Sequence, residues 1–220
     1  MIDLPDIEKA FQYENDFYLS CHPSRMGKFI AHYGLFRRTW ALSGAIVECG
    51  VFKGVSLARF AMFRSLFGPP ASKKIIGFDT FDVFPETAFE GDKGPRGKFI
   101  REAGAKSISE QQLYEVLERK GCRENVELVA GDACDSIPRY VEDHSGLKIS
   151  LLHLDVDIFE PSVAVMKHLF PRLVPGGILI IDDYGRFPGE TKAVDDAIEG
   201  TGLRIEKFSF CETPCFLVVP

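Results

Sequence analysis

From residue 45 onward, short apolar runs alternate with longer segments in which apolar residues recur at helical spacing. The runs are typical of buried strands, and the 3.6-residue period is typical of helices packed on a sheet. The predicted strands are Ala45–Cys49, Lys74–Asp79, Val126–Ala130, Ile149–Leu154, Ile178–Ile181, Leu203–Phe208 and Cys215–Val219. The predicted helices run from about residue 55 to Phe67 and over Ser109–Lys120 (capped by Ser109), Asp135–Asp143, Pro161–Leu173 and Lys192–Glu199.

This alternation predicts a single-domain α/β fold with a mostly parallel sheet and helices on both faces. Only Ser209–Pro214 separates the last two strands, so we expect them to pair as a hairpin with a C-terminal antiparallel strand. We predict a helical segment over residues 1–43 and the sheet domain over residues 44–220. The glycine-rich stretch 82–106 is too long for an ordinary connection, which indicates either a lid-like functional loop or partial disorder.

Composition and charge exclude several classes of protein. The 220 residues are 45% hydrophobic and 26% charged, as in an ordinary globular protein. The 26 basic and 32 acidic residues give a net charge of −6, which argues against a nucleic acid as partner. The six cysteines lack the paired spacing of a zinc site, the acidic start Met1–Asp6 does not resemble a signal peptide, and no apolar run could span a membrane. We therefore expect a cytoplasmic protein with reduced thiols and no membrane partner.

Ligands of open parallel sheets bind at the carboxyl ends of the strands, so the polar residues there are the candidates for chemistry. The first strand carries Glu48 and is followed by Gly50 and Gly54, which allow a ligand close to the backbone but form neither a dinucleotide nor a phosphate-loop motif. The second ends at Asp79, a residue type that accepts ribose hydroxyls, and the third is followed by Asp132, from which an adenine edge could be read. A tight turn and helix-capping aspartates are the alternative interpretation.

The fourth and fifth strands are followed by four carboxylates, Asp155, Asp157, Asp182 and Asp183. They come directly after runs that should be buried, so they need a cation, a proton or hydrogen-bond donors nearby. Ligands that are all oxygen suit Mg²⁺ or Ca²⁺ rather than zinc. The alternative interpretation is that these aspartates cap the helices that follow, which would apply to one or two of the four.

The ends of the first, second, fourth and fifth strands lie in the motifs Val47–Gly54, Gly77–Phe81, Leu154–Ser162 and Ile181–Gly185, and two further motifs are Phe170–Gly177 and Lys192–Asp195. Together they resemble the macrocin O-methyltransferase family, from about residue 45 to the C-terminus, although Phe159 stands where the family often has tyrosine. The resemblance implies a Rossmann-like methyltransferase that depends on S-adenosylmethionine and Mg²⁺ and acts in antibiotic-sugar tailoring.

The resemblance also implies a role for each matched residue. The residues expected to line the methionine end of the cofactor are Glu48, Gly50, Gly54 and Ser56. The residues expected at its adenosyl end are Asp79 with Thr80 at the ribose, and Asp132 with Ala133 at the adenine. The metal ligands would be Asp155, Asp182 and Asp183, and Asp157 would be the general base that removes the proton of the attacking hydroxyl.

The acceptor stays open at this level. A hydroxyl of a small molecule, such as a sugar or a natural-product glycoside, is the main interpretation. A catechol-type phenolic acceptor and a non-catalytic S-adenosylmethionine-binding protein are the alternatives. Residues 1–43 would either cover the site or pair with a second copy in a homo-oligomer. His153 is expected to be a core histidine satisfied by the backbone, and Phe81, Phe84 and Phe89 are candidates for stacking on a ring or a sugar.

Overall fold

Residues 2–220, which the computed structural model describes, form one seven-stranded sheet in the strand order 3-2-1-4-5-7-6. All neighbouring strands are parallel except β7, which is antiparallel to both of its neighbours. The strands are β1 (Ala45–Cys49), β2 (Ile75–Asp79), β3 (Val126–Ala130), β4 (Ile149–Leu154), β5 (Leu173–Ile181), β6 (Glu206–Lys207) and β7 (Cys215–Val218). The predicted fold class is therefore confirmed, including the C-terminal antiparallel strand.

Eight α-helices surround the sheet in the described part of the chain. They are α1 (Ala10–Ser20), α2 (Pro23–Thr39), α3 (Val55–Phe67), α4 (Glu90–Ala103), α5 (Glu110–Arg119), α6 (Ala133–Asp143), α7 (Phe159–His168) and α8 (Pro188–Ile198). None of the residues of α1 is buried, whereas α2 packs across β4 and β5, so α2 joins the N-terminal segment to the sheet. None of the helices described is long and apolar enough to cross a membrane.

Several predicted elements have different bounds in the structure. The fifth strand begins at Leu173 and not at Ile178, and the last helix begins at Pro188 and not at Lys192. The helix predicted over Pro161–Leu173 ends at His168, and a 3₁₀ turn leads directly into β5. Pro171 lies in that turn and lacks the N–H that a continuing helix needs, so the chain leaves the helical path there. The strand predicted over Leu203–Phe208 shrinks to the two residues of β6, because it lies at the sheet edge and pairs only with β7.

The stretch 82–106 is not a structureless loop, because most of it is helix α4. The helix is fixed to the body by Asp92, which is fully buried. Its two carboxylate oxygens accept hydrogen bonds from the backbone N–H groups of Phe159 (2.9 Å) and Gly189 (2.8 Å), in the first turns of α7 and α8. Glu160 of α7 in turn accepts from the backbone N–H groups of Ala88 and Phe89, at 2.8 and 3.1 Å. The glycines that indicated a loop are thus outweighed by contacts from distant elements.

The carboxyl ends of β1 and β4 lie against each other, at the point where the strand order reverses. Gly50 follows β1 with φ of +90°, and a Cβ built on it would fall 1.7 Å from the carbonyl oxygen of Asp155. The backbone N–H of Asp155 donates to the carbonyl of Cys49 at 2.9 Å, which continues the pairing of the two strands. Glycine is therefore required at this position, and the close approach brings the polar residues after both strands together.

Two cations are buried near the opposite, amino-terminal end of the sheet. Arg64 donates to the backbone carbonyls of Lys73 (2.9 Å), Cys122 (2.9 Å), Glu124 (2.5 Å) and Asn125 (3.1 Å). Lys73 donates to three backbone carbonyls between residues 39 and 44 and to the hydroxyl of Ser150. Both cations thus connect the loops at the amino-terminal ends of the strands through hydrogen bonds to neutral acceptors.

Candidate active site

A cavity of about 1860 Å³ opens at the carboxyl ends of the strands, between the start of α2, helix α4 and the loop before β7. Ligand pockets usually measure about 300–1,000 Å³, so this cavity has room for two ligands side by side. Six of the eight predicted cofactor residues line it: Gly50, Ser56, Asp79, Thr80, Asp132 and Ala133. The other two do not reach it. Glu48 is fully buried below Ser56, whose hydroxyl donates to it at 2.8 Å, and Gly54 shapes the turn with φ of +78°.

Asp79 connects the ends of β1 and β2. One of its oxygens accepts from the backbone N–H groups of Val51 and Phe52, both at 2.9 Å, and the other accepts from Phe81 at 2.7 Å. The Thr80 hydroxyl also lies within hydrogen-bond reach of this carboxylate, at 3.4 Å, but its single proton can go instead to the carbonyl of Val83 at 3.1 Å. A carboxylate has about four acceptor positions, so a donor from the cavity can take the position that Thr80 leaves. Asp79 therefore fixes the glycine turn while still facing the cavity.

Asp132 combines both interpretations of a strand-end aspartate. It caps α6, because its side chain accepts from the backbone N–H of Cys134 at 2.8 Å, and it also lines the cavity. The cap holds the start of α6, with Ala133, at the cavity wall. The structural role and a ligand-binding role are compatible at this position.

Three of the four predicted carboxylates converge at the cavity floor. Asp155, Asp157 and Asp183 each bring one oxygen within 4.8 Å of the others. Asp157 has a positive φ of +65°, a conformation that is strained for most residues but tolerated by Asp and Asn. Burial, followed by the charges of Asp155 and Asp183, raises the pKa of Asp157 well above its usual range.

Glu190 of α8 holds this arrangement in place, and the sequence reasoning missed it. It is fully buried, and its two oxygens accept from the backbone N–H groups of Asp157 (3.3 Å) and Asp183 (2.9 Å). In the sequence it lies two residues before the predicted helix, and in the structure it lies in the first turn of α8, where acids are common without any ligand or site. No signal in the pattern distinguishes it from such a residue.

The fourth carboxylate, Asp182, faces a different set of partners. Its Oδ2 lies 2.5 Å from the Nζ of Lys28, and its Oδ1 lies 3.2 Å from Nε2 of His153 and 3.7 Å from Nε2 of His32. Burial alone would raise the pKa of Asp182, but the Lys28 ammonium and the hydrogen bond from His153 hold it well below its usual range. Asp182 is therefore the member of the group that stays ionised most readily.

The sequence predicts that His153 is a core histidine satisfied by the backbone; it is buried, but carboxylates and not the backbone hold it. It lies in β4 opposite Glu48 of β1, so its Nδ1 is 3.5 Å from Glu48 Oε2 while Nε2 faces Asp182. Burial disfavours its charged form, but the two acids outweigh burial and raise the pKa of His153 to about 10. The pairing of strands β1, β4 and β5 places these acids on both sides of the ring, a contact that the isolated strand pattern does not contain.

The N-terminal segment contributes to the site through α2. Lys28 and His32 are four residues apart and so share one face of the helix. The His32 ring stacks on Phe60 at 5.3 Å, and burial lowers the pKa of His32 to about 3, so it is neutral. The sequence reasoning assigned no chemistry to residues 1–43; the only signal was this pair of basic residues at helical spacing.

The three candidate stacking aromatics have different surroundings. Phe84 lines the cavity and packs edge-on against Phe99 at 5.5 Å. Phe81 is buried, and Phe89 stacks on Phe159 at 5.0 Å between α4 and α7. Only Phe84 of the three is therefore placed to contact a ligand in the cavity.

The chain matches a known protein family over most of its length. The sequence profile described as Macrocin-O-methyltransferase (TylF) matches residues 37–206. Two curated relatives are 8-demethyl-8-(2,3-dimethoxy-alpha-L-rhamnosyl)-tetracenomycin-C 4'-O-methyltransferase from Streptomyces olivaceus and demethyldecarbamoylnovobiocin O-methyltransferase from Streptomyces niveus. The first is 28% identical over 143 residues, covering 64% of this chain and 53% of the relative. The second is 25% identical over 162 residues, covering 70% and 57%. The chain thus spans a little over half the length of these curated relatives.

Solved structures agree with the sequence relatives. The calicheamicin methyltransferase CalS11 superposes with a TM-score of 0.81 and 26% identity, covering 98% of this chain and 86% of CalS11. The O-methyltransferase NovP gives a TM-score of 0.69 at 18% identity, over 89% of this chain and 79% of NovP, and this likeness supports the fold alone. The family profile covers well over half of the chain and includes both acidic strand ends. The chain therefore belongs to the macrocin O-methyltransferase family.

Proposed function

We propose that this protein transfers the methyl group of S-adenosylmethionine to a hydroxyl of a sugar-bearing small molecule, assisted by Mg²⁺. The observation that carries the proposal is the convergence of Asp155, Asp157 and Asp183 on the floor of a cavity that also reaches Gly50 and Asp79. Family membership supports methyl transfer, and the names of the two curated relatives point to glycosylated natural products as the acceptor class.

The donor set fits a hard divalent cation. Asp155, Asp157 and Asp183 face the cavity floor with carboxylate oxygens, and Asp182 precedes Asp183 directly in the chain, so the available donors are the oxygen ligands that Mg²⁺ prefers. Asp155, Asp182 and Asp183 would hold Mg²⁺, which when bound would supply positive charge that lowers the pKa of the acceptor hydroxyl. The His32, His153 and Asp182 trio offers a second set of candidate ligands, but both of its histidines are fully buried.

Asp157 is the proposed general base. It lies beside Asp155 and Asp183 at the cavity floor, where it can take up a proton, whereas the low pKa of Asp182 suits a group that stays ionised beside a cation. Glu190 fixes the backbone of Asp157, which orients the carboxylate toward the same space that Asp155 and Asp183 face. A hydroxyl oriented there would give its proton to Asp157 as its oxygen bonds to the methyl carbon in line with the sulfur, and the carbon–sulfur bond would break to release S-adenosylhomocysteine.

The proposed cofactor contacts follow one wall of the cavity. Gly50 and Ser56 would face the methionine part, Asp79 and Thr80 the ribose, and Asp132 with Ala133 the adenine. Glu48 acts indirectly in this proposal, because it lies below Ser56 and orients its hydroxyl. Gly54 also acts indirectly, since a Cβ there would meet Leu113 at 2.8 Å and displace the turn.

The rest of the cavity would take the acceptor. Phe17 and Phe29 from the N-terminal helices, and Phe84 and Phe99 around α4, line it on facing sides. Aromatic faces of this kind pack well on the apolar faces of sugars and on fused-ring aglycones. Water is then excluded from the reacting groups once both ligands are bound.

The test uses the purified full chain with S-adenosylmethionine and a panel of natural-product glycosides that each lack one O-methyl group, with catechol as the phenolic comparator. Mass spectrometry of the product measures transfer, with Mg²⁺ and with a chelator. We expect a methylated sugar only in the presence of Mg²⁺. Full activity in the chelator would contradict the role of Mg²⁺, and preferential methylation of catechol would contradict the sugar assignment. Binding of S-adenosylmethionine in calorimetry with no transfer to any acceptor would favour the non-catalytic alternative.

A further inference from the structure

Lys28 brings a positive charge into the acidic cluster from a distant part of the chain. It precedes Asp182 by 154 residues and reaches it from α2, with its ammonium 2.5 Å from Asp182 Oδ2. Its side chain is three-quarters buried, and Asp155 and Asp183 add to the negative field around it. Four carboxylates at this end of the sheet would otherwise repel one another in a poorly solvated space. The ammonium therefore acts as one of their counter-ions in the protein without metal, beside the His153 ring, which lies on the other oxygen of Asp182 at 3.2 Å.

A divalent cation held by Asp155, Asp182 and Asp183 would be attracted to the carboxylates that Lys28 already neutralises. Two cations within a few ångströms of the same carboxylate repel strongly at the low effective dielectric of a partly buried site. The ammonium is carried on a long flexible side chain, which can withdraw into the open cavity that Lys28 itself lines. Metal binding and the Lys28–Asp182 ion pair are thus alternatives.

We propose that Lys28 is a tethered counter-ion that occupies the acidic cluster without metal and is displaced by the divalent cation, so that Lys28 sets the metal affinity and links metal loading to helix α2. This inference rests on the proposed function, because it requires that the cluster binds Mg²⁺. It assigns to the N-terminal segment a role in the metal equilibrium, in addition to forming a wall of the cavity.

The test is a calorimetric titration of the full chain with MgCl₂, with each variant first checked by thermal melting. Lys28→Met removes the charge and should bind Mg²⁺ about 10- to 100-fold more tightly than the wild type. Lys28→Gln removes the charge but keeps a donor for Asp182, so it should also bind more tightly and serves where Lys28→Met folds poorly. Lys28→Arg keeps the charge and should stay within about threefold of the wild type. The matched control is Lys53→Met, because Lys53 lines the same cavity but donates to the carbonyl of Ala103, and its affinity should not change.

Hydrogen exchange gives the second readout. Adding Mg²⁺ to the wild type should speed amide exchange in the first turns of α2, because the ion pair that holds them is released, and it should have no such effect in Lys28→Met. Mg²⁺ binding to the wild type with unchanged or weaker binding in folded Lys28→Met and Lys28→Gln would overturn this inference and leave the proposed function intact. No Mg²⁺ binding in the wild type or in either neutral variant would overturn the Mg²⁺ part of the proposed function together with it.

Discussion

The two ends of the sheet both bury charged groups, but they stabilise them in different ways. Near the amino-terminal end, Arg64 and Lys73 donate almost entirely to backbone carbonyls, which are neutral acceptors. At the carboxyl end, Asp182 and His153 face other ionisable groups, and their charges depend on one another. A charge satisfied by fixed dipoles needs no partner that can leave, whereas a charge balanced by a mobile side chain can exchange that partner for a ligand.

The buried polar atoms without a hydrogen-bond partner show the same difference. Five such side-chain atoms occur in residues 2–220, and three of them belong to the carboxyl-end network: His32 Nε2, Glu48 Oε2 and His153 Nδ1. Glu48 Oε2 and His153 Nδ1 face each other at 3.5 Å, and His32 Nε2 lies 3.7 Å from Asp182, so these atoms face ionisable groups without a fixed hydrogen bond. Among the described residues, the amino-terminal end has one such atom, the Nε of Arg64. We conclude that the carboxyl end is organised for chemistry and the amino-terminal end for holding the fold together.

The largest expected effect is a loss of activity at the carboxyl end of the sheet, with the fold unchanged. Asp157→Asn should lower the rate of methyl transfer by about 10²–10⁴-fold, the range for a positioned general base, and asparagine tolerates the left-handed backbone at this position. Calorimetry should show that the variant still binds Mg²⁺ and S-adenosylmethionine. Asp182→Asn should instead weaken Mg²⁺ binding itself. Loss of metal binding in Asp157→Asn and not in Asp182→Asn would exchange the roles of the two residues.

The corresponding change at the amino-terminal end should affect stability. Arg64→Leu removes the donor to four backbone carbonyls and should lower the free energy of unfolding by about 3–5 kcal/mol, measured by urea denaturation. Arg119→Leu is the control, because Arg119 is exposed and pairs only with Glu115 on the same helix, so its effect should stay below about 0.5 kcal/mol. Equal destabilisation by the two variants would contradict the structural role of Arg64.

Asp79→Ala sharpens the comparison, because Asp79 serves both a structural and a proposed ligand-binding role. It should weaken binding of S-adenosylmethionine or its demethylated product by about 1–3 kcal/mol in calorimetry, since a hydroxyl loses its acceptor and the glycine turn loses its anchor. Asp82→Ala, three residues further along on an exposed site, should leave the affinity as it is. Unchanged affinity in Asp79→Ala would contradict the assignment of the ribose site.

The smallest effect concerns pH at the amino-terminal end. Burial lowers the pKa of Lys73 from its ordinary value of 10.5 to about 8. Between these values the native state binds fewer protons than the unfolded state, so the stability contributed by this lysine rises with pH. The difference in unfolding free energy between wild type and Lys73→Met should grow in favour of the wild type by about 1–2 kcal/mol from about pH 7.5 to about pH 9.5. A difference that is independent of pH would mean that Lys73 keeps its ordinary pKa.

Much of the fold could be predicted from the sequence, because its signals are local. The apolar runs of β1 to β5 predict a parallel sheet. The sequence also predicts Ser109 as the cap of α5, and the structure has a full capping box there with Gln112. The acids at the strand ends follow from the same pattern, since the carboxyl ends of parallel strands share one edge. The convergence of Asp155, Asp157 and Asp183 is therefore largely contained in the sequence.

The contacts that could not be predicted join residues far apart in the chain. Lys28 with Asp182, His153 with Glu48, and Asp92 with the starts of α7 and α8 all depend on tertiary packing. Each of these residues is an ordinary charged or polar residue in its local pattern. The glycine content of residues 82–106 predicts a loop, but the structure has helix α4 there, because the anchoring of α4 by Asp92 outweighs the low helix propensity of its glycines.

The two hydrogen bonds that Asp92 accepts from the starts of α7 and α8 limit which segments of this chain can be exchanged with those of relatives. Removing α4, or replacing it with the equivalent segment of a relative, would leave the first N–H groups of α7 and α8 without their acceptor. A chimaera with a new segment at this point must therefore carry an aspartate there or redesign both helix starts. Helix α4 covers the cavity like an exchangeable insertion, but its buried aspartate makes it a structural part of the domain.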